Sequence, residues 1–399
     1  IKNAALKYAL LKEMMMTGKS LENTLDLDDR LVSDRLWDEY CDAIKRAGRH
    51  LLRPEAPRDV FNQAEGVRYL TRMVRAGLEL MVEAGTPEFP RFSDPAGGFI
   101  KIGGDNPDNL YLSTPISGEL EYRIHGQRGD APTINFATKN GGYQKPGAKM
   151  LGTGFLDGRE LEVDEGGNFE ILVSARRPPS GNWLPMEPDS NLLLIRQTFH
   201  DRRSEHAAQL HIERLGSTDA PPALDPQAFV GQLMAAARYT ENTVKLFTDW
   251  AAHFKREHHN TLPLGEQSMF QAAGGDPNIT YYHGYWELAD DEAMVIEASL
   301  PPCEFWNFQV DNFWMESLDY HCQRIHLNCH GARLNPDGSV TIVVAHRDPG
   351  HPNWLTTAGH ALGTSLFRLI GAQDRPAQIK VRIVNFDTLT GGREHGSQA

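Results

Sequence analysis

The sequence predicts a mainly β, α+β protein: two tandem, related β-sandwich or jelly-roll-like units, with a helical N-terminal region and a long connecting helix. Three observations carry this. Gly103-Gly104-Asp105 recurs as Gly274-Gly275-Asp276, Asn135-Phe136 as Asn307-Phe308, and Asn182-Trp183-Leu184 as Asn353-Trp354-Leu355, at a spacing of 171 or 172 residues each time. Phe169, Ile171 and Val173 match Val340, Ile342 and Val344 without a gap, an alternation of period two that marks half-buried strands. Two copies of domain length are too few and too long for a solenoid, and they suit two packed sandwiches.

The elements follow in order. Residues 1–96 form a helical N-terminal region, with Ile1 to Met16 an amphipathic helix rather than a signal peptide. Leu31, Leu36, Tyr40 and Ile44 share a helical face, and Val67, Leu70, Val74, Leu78 and Met81 share the next. The first β unit spans 97–216. Residues 217–273 hold a Pro/Ala linker and a helix from about Pro226 to His258, which is expected to cover a sheet face and to pack across both units. The second β unit spans 274–390, and 391–399 is a polar tail expected to be disordered. The repeated residues read first as scaffold. Gly-Gly-Asp is a turn opening a strand, and Asn-Trp-Leu is a Trp plugging one end of a sandwich while Asn ties the loop.

Composition narrows the function. A net charge of −13 with no Lys/Arg cluster argues against nucleic-acid binding. No apolar run is long enough to span a membrane. The four cysteines lack a disulfide or Cys-x-x-Cys pattern, so a cytoplasmic location is expected. There is no Walker A loop, GxGxxG, GxSxG or HExxH motif, and no cofactor is expected.

Differences between the copies point to a site. The second copy carries seven of the 16 histidines and a run of aromatics from Tyr281 to Tyr320. His326, Asn328 and His330 are spaced by two and share one face of a strand. Such a row begins a metal site, places a general base, or forms a hydrogen-bonded polar layer. Arg324 shares that phase and is suited to hold a substrate oxygen. His346 closes a strand just before the Trp loop and is a candidate catalytic residue in a pocket to which Arg347 and Trp354 contribute substrate-binding groups. Tyr281, Tyr282, His283, Trp286, Trp306, Trp314 and Tyr320 are candidate walls for an apolar ligand.

The segments Asp337-Gly338-Ser339-Val340, Asn353-Trp354-Leu355 and Leu366-Phe367-Arg368 resemble the C-terminal signature of the domain-of-unknown-function family number 1214. Phe313 to Tyr320 and Gly103 to Tyr111 resemble a bacterial subgroup of it. The resemblance implies β-sandwich architecture and bacterial settings where aromatic or terpenoid molecules are degraded, but no agreed chemistry.

These features lead us to expect a cofactor-independent catabolic enzyme acting on an apolar or aromatic small molecule. In it His326 or His330 is the base, Arg324 or Arg347 binds an oxygen, and a lyase-type bond cleavage follows. The alternatives are a metal-dependent enzyme using His326, His330 and either His346 or His283, or a non-catalytic double sandwich that binds a carbohydrate or hydrophobic ligand. The N-terminal helices either pair in a homodimer or cap the core.

Overall fold

The computed structural model describes residues 26–27, 29–217, 220–372 and 379–390. The expected helix at Ile1–Met16 and the polar tail therefore lie outside the described residues.

Helix α1 (Arg35–Arg49) and helix α2 (Val60–Leu78) precede the β units. The Asp59 carboxylate caps α2 by accepting from the Asn62 amide at 2.9 Å. A short ribbon, β1 (Gly85–Thr86) with β2 (Phe89–Pro90), leads into the first unit.

That unit contains β3 (Asn109–Pro115), β4 (Tyr122–Gln127), β5 (Thr133–Gly141), β6 (Met150–Asp157), β7 (Asn168–Ser174), β8 (Asn182–Pro185), β9 (Leu192–Thr198) and β10 (Gln209–Arg214). They form two four-stranded sheets, ordered β3-β9-β5-β6 and β10-β4-β7-β8. Helix α3 (Pro226–Glu257) starts on Pro226 with Asp225 as its cap, and a short helix α4 (Gln267–Ala272) follows.

The second unit contains β11 (Ile279–Glu287), β12 (Glu292–Ala298), β13 (Phe305–Val310), β14 (His326–Asn328), β15 (Val340–Ala345), β16 (Trp354–Thr356), β17 (Leu362–Ile370) and β18 (Lys380–Asn385), and then α5 (Asp387–Thr390). Its sheets are ordered β11-β17-β13-β14 and β18-β12-β15-β16, strand for strand the order of the first unit. Even the single parallel pairing is repeated, β7 with β8 and β15 with β16. The duplication read in the sequence is therefore a duplication of topology.

Each unit buries a core between its own two sheets. Phe169, Ile171 and Val173 meet Phe136 and Ile195 in the first. Val340, Ile342 and Val344 meet Phe308 and Phe367 in the second. The Asn of each Asn-Trp-Leu motif ties loop backbone as expected: Asn182 donates to the carbonyls of Glu162 and Glu170, and Asn353 to those of Arg333 and Thr341. The plug, however, is the leucine. Leu184 and Leu355 are wholly buried, whereas Trp183 and Trp354 lie half-buried and donate their indole N–H to Ser174 and Ala345.

The outer face of the β11-β17 sheet is covered by α2 and α3, whose Tyr69, Met73, Phe247 and Phe254 join Tyr285, Phe305 and Phe313 in a third core. Helix α1 packs on α3. Of the N-terminal helices, α2 thus caps the second unit while α1 stands on α3. The buried face of α2 is Asn62, Gly66, Tyr69, Met73, Ala76 and Gly77, while Val67 is exposed. This differs from the face that hydrophobicity picks out. The cause is close approach: a Cβ on Gly66 would stand 2.5 Å from the Trp314 indole, so the contact selects small residues over apolar ones.

Candidate functional site: a cavity between the two units

The repeated Gly-Gly-Asp loops do more than open strands, because each is gripped by the other unit. Arg196 on β9 donates Nη2 to the Gly274 carbonyl at 2.5 Å. Arg368 on β17, its counterpart, donates Nη2 to the Gly104 carbonyl. The paired asparagines cross as well. Asn135 donates to Asp276, and Asn307 donates to Asn106 at 2.6 Å and Asp108 at 2.8 Å. Gly103 and Gly104 take φ of 62° and 70°, and a Cβ on Gly103 would sit 2.5 Å from the Phe247 ring. Both the left-handed backbone and the close approach require glycine.

Between these crossed contacts lies a cavity of about 620 Å³. Its walls are the outer face of β3 and β9, the outer face of β11 and β17, helix α3, and the segment after α2 from Leu80 to Gly85. The helix leaves room because its side chains there are small. Ala228, Gly231 and Ala235 line the space, and nothing lies within 4 Å of a Cβ placed on Gly231. Further along α3, Phe247 and Trp250 close the apolar wall.

A few polar groups interrupt that wall. His283 is 3 % exposed, its Nδ1 has no hydrogen-bond partner among the described residues, and its ring stacks on Phe254 with centroids 4.9 Å apart. Burial, with Arg368 and His258 nearby, holds its imidazole well below the ordinary histidine range, so it is neutral at pH 7. The Tyr281 hydroxyl accepts from the Asp276 amide at 3.1 Å and thereby keeps its own proton to donate. Burial pushes that phenol up to about 12, so it remains protonated. The hydroxyl of Tyr111, the counterpart of Tyr281, accepts instead from the side-chain amide of Asn109 at 3.2 Å. No hydrogen bond joins the Tyr239 hydroxyl, on α3, to any described residue.

Of the residues singled out in the sequence, Tyr281 and His283 line this cavity. The others are elsewhere. Tyr282, Trp286 and Trp306 alternate inward to the sandwich core of the second unit. Trp314 is buried under α2, with its indole N–H on the Asn62 carbonyl at 3.0 Å. The Tyr320 hydroxyl accepts from the Gly98 amide at 3.0 Å, and its ring sits under the Lys101 ammonium. His326 and Asn328 both bond the Asp108 carboxylate, at 3.2 and 2.9 Å, and form a polar seam between the units. His330 stacks on His200. Arg324 donates to the Pro352 carbonyl, and His346 bonds Thr357. Arg347 covers the Phe386 ring and Trp354 lies at a sheet edge. Among the described residues, no three of His, Cys, Asp and Glu converge as a metal-binding cluster.

The cavity lies between the copies rather than inside the second one, and Tyr111, Arg196 and Tyr239, which the differences between the copies do not single out, line it. The available signal was on α3, where large apolar residues give way to Ala228, Gly231 and Ala235 on one face.

The fold and site define a class: a tandem double sandwich whose two units clamp each other around an apolar cavity. The chain belongs to the family described as "Protein of unknown function (DUF1214)", which matches residues 112–200 and 289–374, one segment in each unit. The chain is similar to an uncharacterised protein of known structure from Burkholderia cenocepacia, at 48 % identity over 91 % of this chain and 99 % of that one, with a TM-score of 0.87. It also matches a protein of known structure from Vibrio parahaemolyticus, at 13 % identity over 85 % of this chain and all of that one, with a TM-score of 0.46. No curated protein matches it. Among the described residues, no helix is long and apolar enough to cross a membrane.

Proposed function

We propose that the protein binds an apolar or aromatic small molecule in the cavity between its units and turns it over by proton transfer, as a lyase-type catabolic enzyme. The observation that carries the reading is the cavity itself. It is large enough for a ligand of drug-like size, mainly apolar, and supplied with few convergent polar groups. His283 supports the chemical part. A neutral imidazole with an open ring nitrogen is in the form that can take up a proton, and the protonated phenols of Tyr281 and Tyr239 are available to donate to a developing oxyanion.

The test fills the cavity without touching the clamp. Gly231→Leu and Ala235→Leu should leave the unfolding temperature within a few degrees and abolish binding of apolar aromatic probes, measured by calorimetry. His283→Gln should retain binding and lose turnover. Unchanged probe binding in both filled variants would remove the cavity from consideration.

A further inference from the structure

The two copies differ at the arginine fork of the clamp, and that difference opens a charged corner beside the cavity. In the second unit the Arg368 fork is filled. Gln309, two residues after Asn307 on β13, accepts from Nη1 at 2.5 Å, while its own amide donates to Asp311 at 2.6 Å and to the Asp105 carbonyl at 2.9 Å. The ladder register equates Gln309 with Ala137 and Asp311 with Lys139, since Arg196 opposes Asn135 as Arg368 opposes Asn307.

Ala137 offers Arg196 no acceptor. Beyond the Gly274 carbonyl, the Arg196 guanidinium has the Asp276 carboxylate at 3.9 Å and the Tyr111 ring at 6.0 Å. Its Nη1 edge therefore has donors to spare on a cavity-lining residue. Lys139 directly opposes Leu192 across the β5–β9 ladder and so shares the sheet face from which Leu192, Leu194 and Arg196 line the cavity. It is 2 % exposed, and its ammonium makes no hydrogen bond or ion pair to any described residue. Burial, with Arg196 beside it, pushes the ammonium down to about 8. The buried Lys139 and the part-exposed Arg196 thus share one sheet face with a single carboxylate, Asp276, 3.9 Å from the Arg196 guanidinium, where the second unit closes the same position with Gln309 and Asp311. A buried cation without a partner is costly, and an anion arriving there relieves that cost.

We propose that the Arg196–Lys139 corner binds the carboxylate of an apolar carboxylic acid, whose hydrocarbon or aromatic body fills the rest of the cavity. The planar two-oxygen head fits the open edge of a guanidinium, with the ammonium as a second positive neighbour. This rests on the cavity being the ligand site and specifies which ligands it prefers.

The experiment uses a matched pair, 4-phenylbutanoate and 4-phenylbutanol, titrated calorimetrically into the full chain at pH 7. The wild type should bind the acid at least about tenfold more tightly than the alcohol, the preference that charge-assisted hydrogen bonds supply. Ala137→Gln, which installs the second unit's own stopper, and Lys139→Met should each bring the two affinities within about threefold by weakening the acid alone. Lys139→Met should keep the wild-type unfolding temperature or raise it, so one folded variant is secured. Equal affinity of the two probes for the wild type, or a preference that survives both substitutions, overturns the charged corner and leaves the apolar cavity standing. Failure of both probes to bind overturns the cavity reading, and this inference falls with it.

Discussion

Arg196 and Arg368 occupy the same ladder position in the two units, and each donates to a glycine carbonyl in the other unit's Gly-Gly-Asp loop. The contact is reciprocal, so a duplication that kept the arginine, the asparagine and the glycines kept both halves of a clamp at once. Arg368 is the more deeply engaged of the two. Removing it with Arg368→Ala strands the Gln309 and Gly104 acceptors in a dry interface. We expect a loss of about 3 kcal/mol or more in denaturant unfolding. A loss below about 1 kcal/mol would mean that the crossed contacts do not hold the units together.

Gly66 provides a test of close approach. In a free helix, Gly→Ala stabilises by roughly 1 kcal/mol. Here the added Cβ meets the Trp314 ring at 2.5 Å, and that indole is pinned to the Asn62 carbonyl. Gly66→Ala should therefore destabilise the protein by about 1–3 kcal/mol and shift tryptophan fluorescence. Stabilisation would show that α2 moves freely over Trp314.

Arg72 and Glu316 form a buried pair at 2.6 Å, and the Glu316 side chain is wholly enclosed. Burial already raises its carboxyl above the ordinary range, against the pull of Arg72. Arg72→Ala leaves the charge without its partner, at a cost of about 3–5 kcal/mol at pH 7. The substitution raises the folded-state carboxyl further while the unfolded one stays ordinary. The deficit against wild type should therefore shrink as pH falls, because the folded carboxyl becomes protonated in both proteins while the unfolded one contributes equally to each. Urea melts at pH 7 and pH 5 would show this, and a deficit independent of pH would assign the loss to packing.

Lys139 titrates in the opposite sense. Its ammonium is held down to about 8 in the folded chain and lies near 10.5 unfolded. Below pH 8 both states are charged and folding carries the full desolvation cost. Above 8 the folded state sheds the proton first, and the cost fades toward 10.5. Lys139→Met should therefore be more stable than wild type by on the order of 2–3 kcal/mol at pH 7, with the advantage fading above pH 8 and largely gone by about pH 10.5. A constant difference across that range would place the ammonium in water.

Much of the architecture was legible in the chain because strand alternation and turn chemistry are local. Phe169-Ile171-Val173 and Val340-Ile342-Val344 face inward because side chains alternate at period two, and no distant residue is needed to say so. The α2 face was less legible, since what buries Gly66 and Gly77 is the approach of Trp314 and of the Ala236 backbone on α3, both far away in sequence. The His326–Asn328 row was recognisable as one face of a strand, but its partner Asp108 lies in the other unit.

By itself, then, the sequence determined that one β unit is used twice, which residues the two uses share, and which face of the matched strands turns inward. Those properties come from nearest-neighbour stereochemistry and from the repeat. The tertiary structure decided what the shared residues do and where a ligand has room. Gly-Gly-Asp, Asn and Arg bind across the pseudo-symmetric interface, and the cavity exists because two sheet faces are held apart beside a stretch of α3 with small side chains. Contacts between units depend on how whole faces meet, a relationship to which no single segment of either copy is committed.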